Sequence, residues 1–226
     1  GLLTMKAEIF QAVAEELGLS GIEDLTMEQL DGQETKLCNR FFKDEVLPIL
    51  SPILIGPHHP VPHLINKSLY TAALLEDKKG RKSVGIVPMP ESLPPYLLMP
   101  EGLRFVRTET ILLSRLPSLF RSFRVVESCV LCVTRNADIS FDEEKFEDNE
   151  EDFRRQFRKL LRKRSHLAVM RLELGQPISD AFQEMLSGLI RVETHQIFVD
   201  KCPLNMRYVF RLVSQLPKST AEGLLY

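Results

Sequence analysis

The first fifty residues carry hydrophobic side chains at the spacing of amphipathic helices. Between residues 5 and 19 apolar residues recur every three or four positions, and Gly18 lies where such a helix would stop. A second helical stretch is predicted to begin at Thr26 and to run towards Leu47. The N-terminal part of the chain is therefore expected to be helical, with a first apolar face formed by Ile9, Phe10, Val13, Ala14 and Leu17.

The pattern changes abruptly after residue 47. Five prolines lie between Pro48 and Pro62. Because proline cannot donate a backbone hydrogen bond and disrupts helix interiors, this stretch is predicted to be an extended, rigid connector. It is the best candidate for a domain boundary, so we expect a helical segment at residues 1–47 and a second domain at residues 48–226.

Beyond the connector, short apolar runs alternate with helical patterns. Runs rich in β-branched residues and bounded by Gly, Pro or charged residues predict strands at Leu69–Leu75, Ser83–Pro88, Arg104–Arg107, Val125–Thr134, Leu167–Leu174 and Gln196–Val199. Helical spacing predicts helices at Thr110–Leu119, Asp142–Arg164, Ile178–Leu189 and Leu204–Gln215. Since these elements do not follow a strict βαβ order, the pattern favours an α+β fold, with a mixed or antiparallel sheet and packed helices behind the helical N-terminal segment.

Composition excludes several classes of protein. The 226 residues are 44% hydrophobic and 27% charged, which is typical of a globular protein and not of a disordered or fibrous one. No apolar run is long enough to span a bilayer, and no signal peptide is visible at the N-terminus. The formal net charge of −2 argues against a protein that is basic overall and binds nucleic acid through that charge.

The small net charge conceals a strong local separation of charge. Residues 142–152 hold eight acids and one lysine, whereas residues 154–164 hold seven bases and no acid. One helix with acids in its first half and bases in its second is favoured by the helix dipole. Its charges are explained either as a solvated face with i,i+4 pairs or as a surface for a polyanion or an acidic partner. The arginines of that surface are Arg154, Arg155, Arg158, Arg162 and Arg164.

The residues that often carry chemistry do not form a self-sufficient site. Cys129 and Cys132 have C-x-x-C spacing, but they lie in a predicted strand whose residues three apart face opposite sides, so we expect two buried, reduced thiols and a cytoplasmic protein. His58, His59 and His63 lie in the proline-rich connector without a nearby acid, and we predict no metal site there. No glycine-rich phosphate loop occurs.

Several segments nevertheless resemble one enzyme family. The run from Phe41 to Pro52 is similar to an aromatic-rich helix end that leads into a P-x-L-[ST]-P turn, and the run from His59 to Leu69 resembles an H-P-F-P-x-L-x-N-x-S-L signature. Leu119-Phe120, Val133-Thr134-Arg135-Asn136-Ala137-Asp138 and Arg171-Leu172-Glu173 follow in the same order and spacing. Together, over residues 37–215, these segments resemble the middle or head domain of bacterial polyphosphate kinases.

The resemblance implies an α+β head domain that dimerises and helps to frame a polyphosphate tunnel. In that family, catalysis belongs to C-terminal domains in which a histidine of a His-x-Lys sequence is phosphorylated, with ATP and Mg²⁺ required by the full-length enzyme. No His-x-Lys occurs in this chain. We therefore expect a fragment without its own catalytic residues, metal or cofactor, whose partners are the remaining domains of the same enzyme, a second copy in a homodimer or higher homo-oligomer, and inorganic polyphosphate.

The resemblance also directs attention to cationic positions. The candidates for polyphosphate contact are Arg135, Arg171 and the basic half of the charged helix, because guanidinium groups match phosphate oxygens in two-point contacts. A turn-stabilising role is the alternative for Arg135, and a sheet-edge ion pair with Glu173 is the alternative for Arg171. Two positions where the family commonly has arginine are neutral here, Cys132 and Pro95.

A different class of function stays open beside the kinase fragment. The basic half-helix could make the chain a stand-alone module that binds an acidic protein, RNA or a phosphoinositide surface.

Overall fold

The computed structural model describes residues 1–56, 62–135 and 169–216. Five α-helices and nine β-strands form within these residues. The helices are α1 (Leu2–Leu19), α2 (Gly32–Phe41), α3 (Thr108–Leu119), α4 (Asp180–Ile190) and α5 (Tyr208–Gln215). The strands are β1 (Ile22–Asp24), β2 (Ile53–Ile55), β3 (Leu69–Glu76), β4 (Lys82–Pro88), β5 (Tyr96–Leu98), β6 (Leu103–Arg107), β7 (Arg124–Arg135), β8 (Val169–Leu174) and β9 (Ile197–Val199).

The second predicted helix is not continuous, and the prediction of one helix from Thr26 towards Leu47 is wrong. A single 3-10 turn forms at Met27–Gln29, and Asp31 then begins a separate helix, α2. The Asp31 carboxylate accepts a hydrogen bond from the Glu34 amide at 2.8 Å, and the Glu34 side chain accepts one from the Asp31 amide at 3.0 Å. This reciprocal cap satisfies backbone donors that would otherwise lack partners, so a new helix starts there.

The large sheet confirms the predicted α+β fold. Its six strands have the order β2-β4-β3-β7-β8-β9, and all neighbours are antiparallel except β8 and β9, which are parallel. Part of the proline-rich connector extends as predicted, but Ile53–Ile55 also pairs with β4 as the edge strand of this sheet. The predicted domain division at residue 48 stays a prediction. The predicted helix Asp142–Arg164 lies outside the described residues.

Alternating side chains give the large sheet two apolar faces. On β3, Tyr70, Ala72 and Leu74 contribute to one core with Phe182 and Leu186 of α4. The intervening residues of β3 contribute to a second core with α2 and α3. This alternation places one helix layer on each face, with β3 buried between them.

A smaller sheet lies beyond the second core. It has the order β1-β6-β5, with β1 parallel and β5 antiparallel to β6. Val106 of β6 belongs to the core shared with α2 and α3, whereas its neighbour Phe105 contacts the Tyr96 and Tyr208 rings in a third cluster. Because adjacent strand residues face opposite ways, α1 and α5 pack on the outer face of this sheet.

Helix α1 makes few contacts with the rest of the described residues. None of its residues is buried, and Leu17 is its contribution to the third cluster. The Lys6 ammonium donates a 2.6 Å hydrogen bond to the carboxylate of Asp200, which is only 1% exposed. Burial alone would raise the pKa of Asp200, but hydrogen bonds from Lys6 and from the Cys202 amide outweigh burial and lower it. No helix in the described part of the chain is long and apolar enough to span a membrane.

A buried ionic cluster joins the small sheet to α3. The Arg107 guanidinium donates to the Asp24 carboxylate at 2.6 Å and to the Glu109 carboxylate at 2.7 Å. Burial raises the pKa of both carboxyls by more than Arg107 lowers it, while the two carboxylates together raise the pKa of Arg107 despite its burial. The two buried carboxylates therefore need the Arg107 cation in order to be charged, and the Arg107 cation is stabilised by the two carboxylates.

Candidate functional site

Within residues 1–56, 62–135 and 169–216, no helix covers the β7–β8 half of the large sheet on the side of α2 and α3. Leu131, Val133, Leu172 and Leu174 face the α4 core, so the residues between them on β7 and β8 point to the opposite side. Cys132 lies opposite Glu173, and Thr134 lies opposite Arg171. This open half-face forms the floor of a groove whose walls come from other parts of the chain: Lys67, Leu204, Asn205, Met206 and Arg207.

The groove continues past Lys67 to the side of α5. A cavity of about 240 Å³ above Cys132 and Thr134 shares Lys67, Asn205 and Arg207 with a second cavity of about 290 Å³. We call the two together the Lys67 groove. The second cavity is also lined by Met89, Pro90, Glu91, Leu93, Pro94, Pro95, Glu109, Tyr208 and Arg211.

A tightly held loop presents Lys67 to the groove. Lys67 has a φ of 60°, in the left-handed region that residues with a side chain rarely adopt. Its amide donates to the Val133 carbonyl at 2.8 Å, and the Ile65 amide donates to the Tyr70 hydroxyl at 2.7 Å. These contacts to β3 and β7 fix the loop against the sheet, which compensates for the unusual backbone conformation.

Arg135 holds the same loop from the other face of the sheet. Its guanidinium Nε donates to the Leu64 carbonyl at 2.8 Å, and its amide donates to the Asn66 side-chain oxygen at 2.9 Å. The sequence alternatives for Arg135 were polyphosphate contact and turn stabilisation. The described contacts show it anchoring the loop that carries Lys67, and a contact with substrate stays a prediction.

Arg171 occupies the floor of the open half-face. Its guanidinium pairs with the Glu173 carboxylate at 2.9 Å, which confirms the predicted same-face ion pair, and it stacks 4.3 Å from the centre of the Phe198 ring. The predicted edge position is wrong, because β8 lies between β7 and β9. Arg135 and Arg171 therefore point to opposite faces of one sheet and do not form a common site.

The Lys67 groove is lined by both cations and acids, and the two differ in how many of them form ion pairs. Its cations are Lys67, Arg207 and Arg211, and its acids include Glu91, which pairs with Arg207 at 3.0 Å where both are exposed. Glu109 and Glu173 pair with arginines outside these three. Among the ion pairs of the described residues, none involves Lys67 or Arg211. These two cations are the ones best placed to contact an anion in the groove.

Sequence reasoning did not single out the groove cations. Lys67 lies inside the N-x-S-L part of the family signature, and Arg207 and Arg211 lie four residues apart on a predicted helix. That i,i+4 spacing places two bases on one face and could have indicated them. The other predicted contacts, Arg154, Arg155, Arg158 and Arg162, lie outside the described residues.

The thiols and histidines show no chemistry of their own in the described residues. Cys129 and Cys132 are buried free thiols, as predicted, and they face opposite sides of β7. Burial raises their pKa values to about 12 and about 11, so both stay protonated at neutral pH. His58, His59 and His166 lie outside the described residues. Within the described residues, no group of three His, Cys, Asp or Glu side chains could hold a metal ion.

Removing the Asn66 side chain tests how the loop is held. We expect Asn66→Ala to lower the free energy of unfolding by about 1 kcal/mol, because the Arg135 amide loses its acceptor. Urea denaturation measures the change, and hydrogen exchange at the Lys67 amide should become faster. Gln11→Ala on the exposed side of α1 is the control and should change little. An unchanged Lys67 exchange rate in Asn66→Ala would show that Asn66 does not fix the loop.

Comparison with known proteins gives a consistent result. A family model described as the polyphosphate kinase middle domain matches residues 33–212. A polyphosphate kinase of Bacillus cereus is 31% identical over 225 residues, which is 95% of this chain and 32% of the relative. One from Pseudomonas syringae pv. tomato is 31% identical over 181 residues, covering 76% of this chain and 24% of the relative. The chain thus spans at most about a third of these relatives.

A solved structure shows the same fold. The crystal structure of a polyphosphate kinase from Porphyromonas gingivalis matches with a TM-score of 0.68 and 18% identity, over 94% of this chain and 30% of that one. At this identity the match supports the architecture of the two sheets and their helices.

Proposed function

The chain belongs to the polyphosphate kinase family as its middle domain, and from this premise we propose that it is the non-catalytic middle portion of a longer ATP:polyphosphate phosphotransferase. The whole enzyme would reversibly transfer the terminal phosphate of ATP to polyphosphate through a phosphohistidine in domains outside this chain. The sequence supports placing catalysis in other domains, because this chain contains no His-x-Lys. The chain would supply a scaffold and a cationic surface.

We assign the cationic surface to the Lys67 groove. The observation that carries this assignment is that two family segments and one family position meet at one place: the loop that carries Lys67, the β7 residues Cys132 and Thr134, and the wall with Pro95. Two positions with a common family arginine, Cys132 and Pro95, both line this groove as neutral residues. Lys67, Arg207 and Arg211 would provide positive charge in the same groove.

Arginines predicted from sequence would extend this surface. Arg171 lies on the open half-face, and Arg154, Arg155, Arg158 and Arg162, which precede it in the chain, are further proposed contacts with polyphosphate. A polyanion with evenly spaced phosphates can satisfy several such cations at once, so each contact can be weak while the sum is substantial.

ATP and Mg²⁺ would act in the full-length enzyme and not on the described residues. No group of carboxylates, thiols or imidazoles in that part of the chain fits a metal ion. The proposed partners are the remaining domains of the same enzyme, polyphosphate and a second copy of the chain in a homo-oligomer, and the proposed location is the cytoplasm.

An activity assay tests the non-catalytic assignment. The purified chain, incubated with ATP and Mg²⁺, should form no polyphosphate, because it lacks the phosphorylated histidine motif. A full-length polyphosphate kinase from Bacillus cereus serves as the positive control. Mg²⁺-dependent synthesis of polyphosphate by the chain itself would overturn the assignment.

A further inference from the structure

A further cavity, of about 440 Å³, lies on the same half-face of the large sheet as the Lys67 groove. Its floor is formed by Ser128 and Val130 of β7 and by Gly175, which directly follows β8. These residues continue the row that begins with Cys132 in the groove, because every second residue of β7 points to the same side of the sheet. We call this space the rear cavity.

Leu204 separates the rear cavity from the part of the Lys67 groove above Cys132. Among the described residues, it is the one that lines both spaces. A Cβ atom on Gly175 would lie 3.4 Å from the Val130 Cβ atom and 3.9 Å from the Leu204 Cγ atom. The leucine side chain therefore stands over the floor where the two spaces meet, and the glycine leaves the room that it fills.

The residues before Leu204 fix its position above the sheet. The Asp200 amide donates to the Leu174 carbonyl at the end of β8 at 2.8 Å, and the Cys202 amide donates to the Asp200 carboxylate at 2.9 Å. Pro203 is buried, and its ring restricts the backbone immediately before Leu204. The approach of the chain to Leu204 is thus anchored to β8.

The charges differ on the two sides of Leu204. The Lys67 groove has two cations outside the ion pairs of the described residues. In the rear cavity the charges of Lys201 and Glu28 balance, and Arg107 already pairs with two carboxylates. The remaining polar lining consists of hydroxyl groups and one amide: Thr26, Thr110, Ser114, Ser128 and Gln176. The rear cavity therefore offers a polyanion no surplus of positive charge.

We propose that Leu204 is the wall at which the polyphosphate path ends on this side of the Lys67 groove. A bound chain passes over Cys132 towards Arg171 and does not enter the rear cavity. An apolar side chain offers a phosphate no hydrogen bond and displaces the water that would hydrate it. The larger cavity of the groove shares Glu109 with the rear cavity, and a carboxylate repels a polyanion there.

This proposal rests on the assignment of the Lys67 groove to polyphosphate, and it makes Leu204 a positioning residue for that ligand. Its role is to direct the bound chain along one half of the floor. It therefore predicts that a cation is useful to the chain on one side of Leu204 and useless on the other.

Adding a cation to the floor on either side of Leu204 tests the path. Cys132→Arg places it in the Lys67 groove, and Ser128→Lys places it in the rear cavity, on the same face of β7. The two positions are about 13 Å apart, beyond the distance of about 8 Å over which a charge acts at physiological ionic strength. Labelled long-chain polyphosphate should bind Cys132→Arg on the order of fivefold more tightly than the wild type. Ser128→Lys should bind it as the wild type does.

Removing the wall should make the rear cation effective. Leu204→Ala joins the two spaces without adding charge, and the double variant Leu204→Ala, Ser128→Lys should bind polyphosphate on the order of fivefold more tightly than Leu204→Ala alone. Leu204→Met keeps the wall and is the control background, in which Ser128→Lys should stay without effect. Leu204 is only partly buried, so Leu204→Ala should keep the fold, which circular dichroism verifies.

Two results would overturn the wall while leaving the groove assigned to polyphosphate. One is tighter binding by Ser128→Lys when Leu204 is present, and the other is an equal effect of Ser128→Lys with and without Leu204. A merely structural role of Leu204 predicts the second result, because it gives no coupling between the two positions. A wild-type chain that binds no polyphosphate would overturn the proposed function and the path together.

Discussion

Replacing Arg107 with methionine should lower the free energy of unfolding by about 3–5 kcal/mol, the range expected when one partner of a buried ion pair is removed. Arg107 lies between the Asp24 and Glu109 carboxylates at 2.6 and 2.7 Å, and Glu109 is almost fully buried. Methionine fills a similar volume but leaves both acids without a cation. Denaturation by urea at neutral pH measures the loss, which should affect the small sheet and α3 together.

The loss should depend on pH in a direction that the pKa values set. Burial raises the pKa of Asp24 and of Glu109 above their ordinary values of 3.8 and 4.5. A carboxyl with a raised folded pKa favours the fold below its ordinary pKa, and this contribution is lost as the pH rises through the folded pKa. Without Arg107 these pKa values rise further, so the penalty of Arg107→Met should shrink as the pH falls from neutral towards the ordinary pKa values of the two carboxyls.

A matched substitution separates the buried cluster from a general effect of losing an arginine. Arg124 pairs with Glu76 in a solvent-exposed position, and Arg124→Met should cost at most about 1 kcal/mol, without the same pH dependence. Equal losses for Arg107→Met and Arg124→Met would show that the Arg107 cluster does not hold the small sheet to α3.

Introducing valine at Gly85 should cost about 3 kcal/mol, near the upper end of what overpacking usually costs. Gly85 lies on β4 between β2 and β3. A Cβ atom there would meet the Phe120 ring at 2.6 Å and a Leu75 methyl at 2.9 Å, closer than atoms can approach without movement. Leu75 is fully buried and Phe120 nearly so, so neither side chain has open space to move into.

Gly188 provides the opposite case for comparison. It lies within α4 at an exposed position, and a Cβ atom there would contact nothing. Gly188→Ala should therefore stabilise the chain by about 0.5–1 kcal/mol, because alanine loses less backbone freedom in a helix. Thermal denaturation of both variants gives the comparison. A Gly85→Val chain as stable as the wild type would mean that the Phe120 ring does not pack on Gly85 of β4.

The regular parts of the fold could be predicted from hydrophobic periodicity. The strands β3, β4, β6 and β7 are long enough, and buried enough, for their apolar runs to mark them. Three of the four three-residue strands, β1, β2 and β5, are not predicted, because so few residues establish no period, whereas the run of β-branched and aromatic residues at β9 is. The break before α2 was missed because a capping residue inside a helical pattern is a local signal that periodicity does not record.

The site was less predictable than the fold. Periodicity placed Arg171 and Glu173 on one face correctly, since both lie in one strand. It could not show that Arg135 anchors the loop from Leu64 to Asn66, because that contact joins residues about seventy positions apart. The Lys67 groove likewise depends on a loop, a sheet face and a later helix that only the folded chain brings together.

The small net charge has a different meaning once the chain is folded. In the described residues, several acids are held in pairs with arginines, as in the Arg107 cluster and the Arg171–Glu173 pair. Lys67 and Arg211 lie in the groove outside these pairs. A nearly neutral protein can thus present a local cationic surface, which is what attraction of a polyanion requires.

The most direct test of the proposed function is polyphosphate binding by the chain and its groove variant. Fluorescence anisotropy with labelled long-chain polyphosphate should show binding that weakens steeply as the salt concentration rises. The reason is that cationic side chains of the protein release counterions from the polyphosphate when they bind it. The double variant Lys67→Ala, Arg211→Ala should bind on the order of tenfold more weakly. Arg124→Ala, which removes an exposed arginine far along β7 from the groove, should bind as the wild type does. Binding that is absent in the wild type, or unchanged in the double variant, would contradict the assignment of the Lys67 groove to polyphosphate.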